Sequence, residues 1–137
     1  AVCLLADIQD PLAFDLLILP GGPAVFDLRK HNEILNLIRK FAASGKTIGA
    51  ICAAPLLLLD AGVLSDKHAC TAHGSTVNEI PYISEDQPVI KEGQFITSRG
   101  AGTAVEFSLA LVEHLFDSIK KDEVRASIHA DIPTLPD

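Results

Sequence analysis

Cys52 stands where an apolar run of strand type, Thr47-Ile48-Gly49-Ala50-Ile51, gives way to one of helical type, Pro55-Leu56-Leu57-Leu58-Leu59. Its neighbours Ala50, Ala53 and Ala54 are small, and small residues let a chain turn sharply from strand into helix. A nucleophile on such a turn is lifted to the end of the sheet, beside the unpaired N–H groups of the new helix. Those amides and the helix dipole favour a thiolate. The competing reading is a buried structural cysteine, since free Cys is among the most buried residue types. This stretch alone does not separate the two.

Cysteine chemistry needs a thiolate, a positioned base or charge partner, and donors for developing negative charge. Cys52 offers the sulfur. His73 lies past one predicted helix and one short strand, a connection that can bring it back beside the elbow. Gly21-Gly22 can present backbone N–H groups to an oxyanion. The bland alternatives are an ordinary turn for the glycines and a solvated loop position for the histidine; His31, His68, His114 and His129 fit the latter. Cys3 and Cys70 are expected to pack inside strands. Gly100-x-Gly102 lacks the full G-x-G-x-x-G spacing and follows a hairpin strand, which argues against a nucleotide site. Cys70 with His73 is half of a zinc site, so no metal is expected. Glu33, Glu79, Glu85 and Glu106 are read as solvated or structural.

These residues need a scaffold, and 137 residues at 48% hydrophobic content suffice for one domain spanning 1–137. With no Trp and one Tyr, the core must be aliphatic. Eighteen acids against eleven bases give a net charge of −7, which argues against a nucleic-acid partner. Three cysteines form no disulfide framework, so a reducing, cytoplasmic setting is expected. No apolar run is long enough to span a membrane, and no signal-peptide pattern is visible. The chain has no Met and opens on Ala-Val-Cys-Leu-Leu, which reads as a strand entered midway; a piece of a longer protein is expected.

Apolar runs predict strands over Val2–Ala6, Asp15–Leu19, Thr47–Ile51 and Lys67–Ala72, with a hairpin over Pro88–Ser98 turning at Glu92-Gly93. Asp15–Leu19 is apolar on both faces, as in a strand covered on both sides. Helices are predicted over Asn32–Ser44, stopped by Gly45, over Pro55–Ala61, stopped by Gly62, and over Ala104–Phe116. In the last, Val105, Leu109, Val112 and Phe116 recur at helical spacing. Ser75–Tyr82 reads as a helix start or a loop. The tail holds a short helical piece, Asp122–Ile128, and a Pro-rich end. Alternating strands and helices give an α/β fold with a mostly parallel sheet. Sites in such sheets form at the C-terminal ends of strands, where Gly21-Gly22, Cys52 and His73 fall; Arg99-Gly100 follows the hairpin.

Leu19-Pro20-Gly21-Gly22, Ala50-Ile51-Cys52-Ala53-Ala54-Pro55, Thr71-Ala72-His73 and Thr97-Ser98-Arg99-Gly100-Ala101-Gly102-Thr103-Ala104-Val105-Glu106-Phe107 together resemble the ThiJ/PfpI superfamily. The nearest branch resembles that of the Parkinsonism-associated protein deglycase and its bacterial relatives. The resemblance implies a flavodoxin-like three-layer sandwich, incomplete at its N-terminus, and a homodimer. It implies Cys52 as thiolate nucleophile and oxidation sensor, His73 as the nearby histidine, Gly21 and Gly22 with Ala53 as oxyanion positions, and Arg99 to Thr103, with Gly100, bordering the site. It further implies glyoxalase or deglycase chemistry on small aldehydes without cofactor, or a redox-sensing stress protein or chaperone. The protease-like branch usually has His after the cysteine; Ala53 stands there, against peptidase activity. The family's cysteine-tuning glutamate lies on an earlier strand and helix, so that segment is expected from elsewhere, a separate chain being one source.

Overall fold

The computed structural model describes residues 3–130. Four strands form one sheet: β1 (Leu16–Leu19), β2 (Thr47–Ile51), β3 (Val89–Glu92) and β4 (Phe95–Ser98). Their order across the sheet is β1-β2-β4-β3. The β1–β2 and β2–β4 pairings are parallel and β3–β4 is an antiparallel hairpin. The sheet is therefore mostly parallel, as the alternating pattern predicts.

β2 is central and covered on both faces. Ile48 and Ala50 join one apolar cluster with Leu35, Ile38 and Phe41 of α2 (Asn32–Ala43) and Leu56, Leu57 and Leu58 of α3 (Pro55–Asp60). On the other face, Ile51 and Ile96 meet Phe107 and Leu111 of α4 (Ala104–Leu115). A Cβ on Gly49 would lie 3.0 Å from Phe107 Cζ and from Leu111 Cδ2, so a glycine here lets α4 approach closely. Helices on both faces of the sheet make the three-layer α/β sandwich of the flavodoxin-like class.

Both predicted helix stops act as such. After α2, Gly45 N–H donates to Ala42 O and Lys46 N–H to Phe41 O; after α3, Gly62 N–H donates to Leu59 O and Val63 N–H to Leu58 O. Each is a Schellman closure around a left-handed glycine.

Several expectations are corrected. The strand over Val2–Ala6 does not form over its described residues, and Val2 lies outside them; Leu5–Asp7 is a 3-10 turn, Cys3 is exposed, and no described strand pairs with this run. Lys67–Ala72 is also no strand, because β4 already has partners on both sides. The segment crosses the end of the sheet, where Thr71 N–H donates to Thr97 Oγ1 and Cys70 O accepts from Ser84 N–H. Cys70 is buried as expected, but not in a strand. β1 is an edge strand covered on one face and only in part on the other, where Leu16 packs against the cluster of Phe107 and Leu111 but Ile18 is 49% exposed. The hairpin turns at Gly93-Gln94, with Gly93 left-handed. In α4 the buried residues are Phe107, Leu109 and Leu111, while Val105 and Phe116 are exposed. A short helix α1 (Ala24–Leu28) fills a segment with no predicted element, and the tail helix is longer than predicted, α5 (Ser118–Ser127), capped by Asp117. The Pro-rich end lies outside the described residues.

No described helix is long and apolar enough to cross a membrane.

Candidate active site

β2 ends on a backbone turn that a side chain rarely adopts. Cys52 has φ +67°, in the left-handed region, at a cost of roughly 1–2 kcal/mol for an L-residue. Two hydrogen bonds hold it there: Cys52 N–H donates to Ser98 O at 2.9 Å, and Cys52 O accepts from His73 N–H at 2.8 Å. The strained residue is thus tied to β4 on one side and to the His73 segment on the other. A third segment closes over it. A Cβ on Gly21 would lie 2.5 Å from Cys52 Cβ, 2.9 Å from Ile51 O and 3.2 Å from Cys52 Sγ. Only glycine fits against the sulfur, which explains the Pro20-Gly21-Gly22 turn after β1. Cys52 is half-buried, and its Sγ has no hydrogen-bond partner among the described residues.

His73 caps the 3-10 turn Gly74–Thr76 through its own ring. Ser75 N–H donates to Nδ1 at 3.2 Å, and Ser75 Oγ lies 2.8 Å from the same nitrogen. A backbone N–H can only donate, so Nδ1 accepts and the neutral ring carries its proton on Nε2. A Cβ on Gly100 would rest 3.7 Å from His73 Cδ2. A depression of about 350 Å³ is lined by His73, Gly74, Arg99 and the 100–103 loop. Thr103 shapes that loop: its Oγ1 lies 2.6 Å from Ser98 Oγ, accepts from Gly100 N–H at 3.1 Å and donates to Gly100 O at 3.0 Å.

The structure therefore brings Gly21, Cys52, His73 and Gly100 into one chain of contacts at the C-terminal ends of β1, β2 and β4. Arg99 joins them as a wall of the depression. Gly22 is left-handed at φ +102°. The N–H groups of Gly22 and Ala53 make no hydrogen bond among the described residues, although Ala53 is buried. An unpaired buried N–H such as that of Ala53 is uncommon. A larger cavity of about 490 Å³ lies between β3, α4 and α5 and is lined by none of the predicted site residues.

The remaining titratable residues separate from this cluster. Burial pushes the Cys70 thiol up to about 11. Asp86 is held below the usual carboxylate range, chiefly by the Ser84 hydroxyl. His114 is not a solvated loop residue: it sits on α4 against Thr47 Oγ1, and burial lowers its pKa. His68 is likewise engaged, with Ser65 and edge-on to Phe95. Glu79 is structural, in an ion network with Arg29. No group of three metal-ligating side chains occurs among the described residues.

Sequence reasoning missed Ser75, which fixes the His73 ring, and Arg29. Ser98 lies inside a family motif without an assigned role, and Thr103 is placed there only as bordering the site. A serine two residues after a histidine in a turn is the one signal that would have found Ser75.

A scan against family models matches residues 2–114 to the DJ-1/PfpI family. Protein dj-1beta of Drosophila melanogaster is 40% identical over 116 residues, covering 81% of this chain and 61% of the relative. The crystal structure of Drosophila melanogaster DJ-1beta aligns with a TM-score of 0.79 at 33% identity, over 87% of this chain and 66% of the other. The glutathione-independent glyoxalase DJR-1.2 of Caenorhabditis elegans is 39% identical over 103 residues, 74% of this chain and 55% of the relative. Deglycase PfpI of Pyrococcus furiosus is 33% identical over 103 residues, 74% of this chain and 62% of the relative. The chain thus spans between half and two thirds of the length of these three relatives.

Proposed function

The chain belongs to the DJ-1/PfpI family, and on that premise we propose that it carries the cysteine site of a glyoxalase- or deglycase-type enzyme acting on small reactive aldehydes. The observation that supports this reading is the strained, half-buried Cys52, tied to Ser98 and His73 with Gly21 against its sulfur. The names of two relatives, a glutathione-independent glyoxalase and a deglycase, point the same way.

In this mechanism the Cys52 sulfur adds to the aldehyde carbon of methylglyoxal or glyoxal, and the carbonyl oxygen takes a proton to give a hemithioacetal. The amides of Gly22 and Ala53 stabilise the charge that develops on that oxygen. A base then removes the proton from the hemithioacetal carbon, and the neighbouring carbon is reprotonated. The first carbon is oxidised and the second reduced within one molecule, so no external redox partner is needed. Water cleaves the resulting thioester, releasing the 2-hydroxy acid and the free thiol. His73, with its proton on Nε2, serves as the proton donor in the addition step. Arg99 and Gly100 line the substrate side. Pairing of two copies belongs to the same reading and is tested by native mass.

The test is lactate production from methylglyoxal by the full-length protein and its Cys52→Ala variant. The expected result is loss of at least about a hundredfold; unchanged production overturns the reading. A second reading is favoured by the part-exposed sulfur, which has no hydrogen-bond partner among the described residues: a sensor whose Cys52 is oxidised by peroxide to the sulfinic acid without turnover. Two added oxygens on wild type and none on Cys52→Ala, with no lactate from either, select it.

A further inference from the structure

The loops carrying Gly21-Gly22, Cys52 and His73 each run into a short rigid element, and the far ends of these elements meet at one guanidinium. α1 follows Gly22 and is capped by Arg29. α3 follows the Cys52 elbow and ends at Asp60. The 3-10 turn after His73 leads to Glu79, whose N–H donates to Thr76 O at 2.9 Å. Arg29 Nε donates to Asp60 Oδ2 at 2.6 Å and Nη2 to Asp60 Oδ1 at 2.9 Å. On its other side Nη1 donates to Glu79 Oε1 at 2.9 Å, and Nη2 also reaches Glu79 Oε2. One planar fork thus holds two carboxylates from two further segments.

We propose that Arg29 is a positioning residue for the active site: by holding Asp60 and Glu79 together it fixes the spacing of the Gly21-Gly22 turn, Cys52 and His73. The proposal rests on the reading of Cys52 as nucleophile. α1 and α3 are only about 7 and 9 Å long, and Val25, Leu57 and Leu58 are fully buried. A shift at the clamp therefore reaches the loops with little bending in between. Arg29 and Asp60 keep about a fifth of their exposure, 21% and 23%, and Glu79 keeps 46%. Surface ion pairs contribute little to stability, whereas a bidentate fork fixes geometry that lysine cannot reproduce.

The experiment compares Arg29→Lys with wild type in the full-length protein, by methylglyoxal kinetics, Cys52 alkylation with iodoacetamide and thermal melting. The expected result is a kcat lower by roughly tenfold to a hundredfold with KM changed much less. The Cys52 alkylation rate changes in the folded protein. Glu79→Gln detaches only the His73 segment through a half-exposed side chain, so it carries the test if Arg29→Lys does not fold; its kcat falls several-fold. Folded variants with wild-type kcat and alkylation rate overturn the clamp and leave the Cys52 reading intact. If Cys52→Ala instead retains turnover, the enzyme reading fails and the alkylation rates alone decide the clamp.

Discussion

Cys52 and Cys70 carry the same side chain into opposite surroundings. Cys52 is half-buried on a left-handed turn, and the segments of Gly21, His73 and Ser98 press or bond to its backbone. Cys70 is 1% exposed, in an ordinary backbone conformation, with Thr71 beside it bonded to Thr97 and to Ser84. Its thiol is pushed up to about 11 by burial alone. The difference lies in what each environment constrains. Around Cys70 the fold excludes water and leaves the sulfur a neutral, packed group. Around Cys52 it fixes the backbone, leaves the sulfur unpartnered among the described residues, and places unpaired amides nearby. Cys3 completes the contrast: it is exposed and precedes the first described element. Exposure without a surrounding constellation gives a thiol that reagents can reach and no catalyst.

The hardest blow to this contrast is at Gly21. Gly21→Ala puts a methyl 2.5 Å from Cys52 Cβ and 2.9 Å from Ile51 O, neither of which is a flexible end. The turn after β1 or the elbow must shift, and a shift of about 1 Å costs roughly a hundredfold in rate. Overpacking also costs about 1–3 kcal/mol of stability. Gly22→Ala is the companion: nothing lies within 4 Å of its Cβ, but φ is +102°, so about 1 kcal/mol of stability is lost with a smaller effect on Cys52 alkylation. Equal alkylation rates in the two variants would show that close approach to the sulfur does not set the site.

Cys70 sharpens the comparison from the other side. Its pKa is raised from 9.0 to about 11, so in that window the native thiol keeps a proton that the unfolded chain gives up. The unfolded state binds fewer protons there, and stability falls as pH rises. The expected loss is about 2 kcal/mol between pH 9 and pH 11, read by urea unfolding, and Cys70→Ala flattens that part of the profile. The same variant leaves lactate production at pH 7 within about twofold once the folded fraction is matched. An unchanged alkaline slope in Cys70→Ala would mean that other groups carry it.

Much of this was legible in the sequence because local chemistry and tertiary placement agree. Thr47–Ile51 is a strand at both levels, Gly45 and Gly62 end their helices, and the small residues around Cys52 make the elbow. Where the two levels part, sequence reasoning fails for identifiable reasons. Lys67–Ala72 has strand composition but meets a sheet whose neighbouring edge is taken. Leu4 and Leu5 are apolar yet find no ladder. In α4 the stripe through Val105 and Leu109 is as regular as the one through Phe107 and Leu111, yet Leu109 is buried and Val105 is exposed. Gly49, a gap on the facing strand, makes room for Phe107 and Leu111. The site residues were readable because glycine, cysteine and histidine announce themselves. Arg29 was not, because an arginine's partners lie in distant segments, here Asp60 and Glu79, which no local pattern connects.

The smallest effect is expected at Gly100, on the far side of the site from Gly21. Gly100 has φ 171°, extended backbone open to any residue. A Cβ there meets His73 Cδ2 at 3.7 Å, an ordinary contact. Gly100→Ala should therefore fold with stability within about 0.5 kcal/mol of wild type. The added methyl narrows the depression beside His73, so KM for methylglyoxal rises modestly while kcat stays within about twofold. Set beside Gly21→Ala, this separates two uses of glycine at one site. At Gly21 the missing Cβ makes room for the sulfur and its strained backbone. At Gly100 it widens the wall that a substrate meets. If Gly100→Ala instead lowers kcat as far as Gly21→Ala does, the 99–103 loop approaches the reacting atoms as closely as Gly21 approaches the sulfur, and the oxyanion site moves from the β1–β2 side to the β4 side.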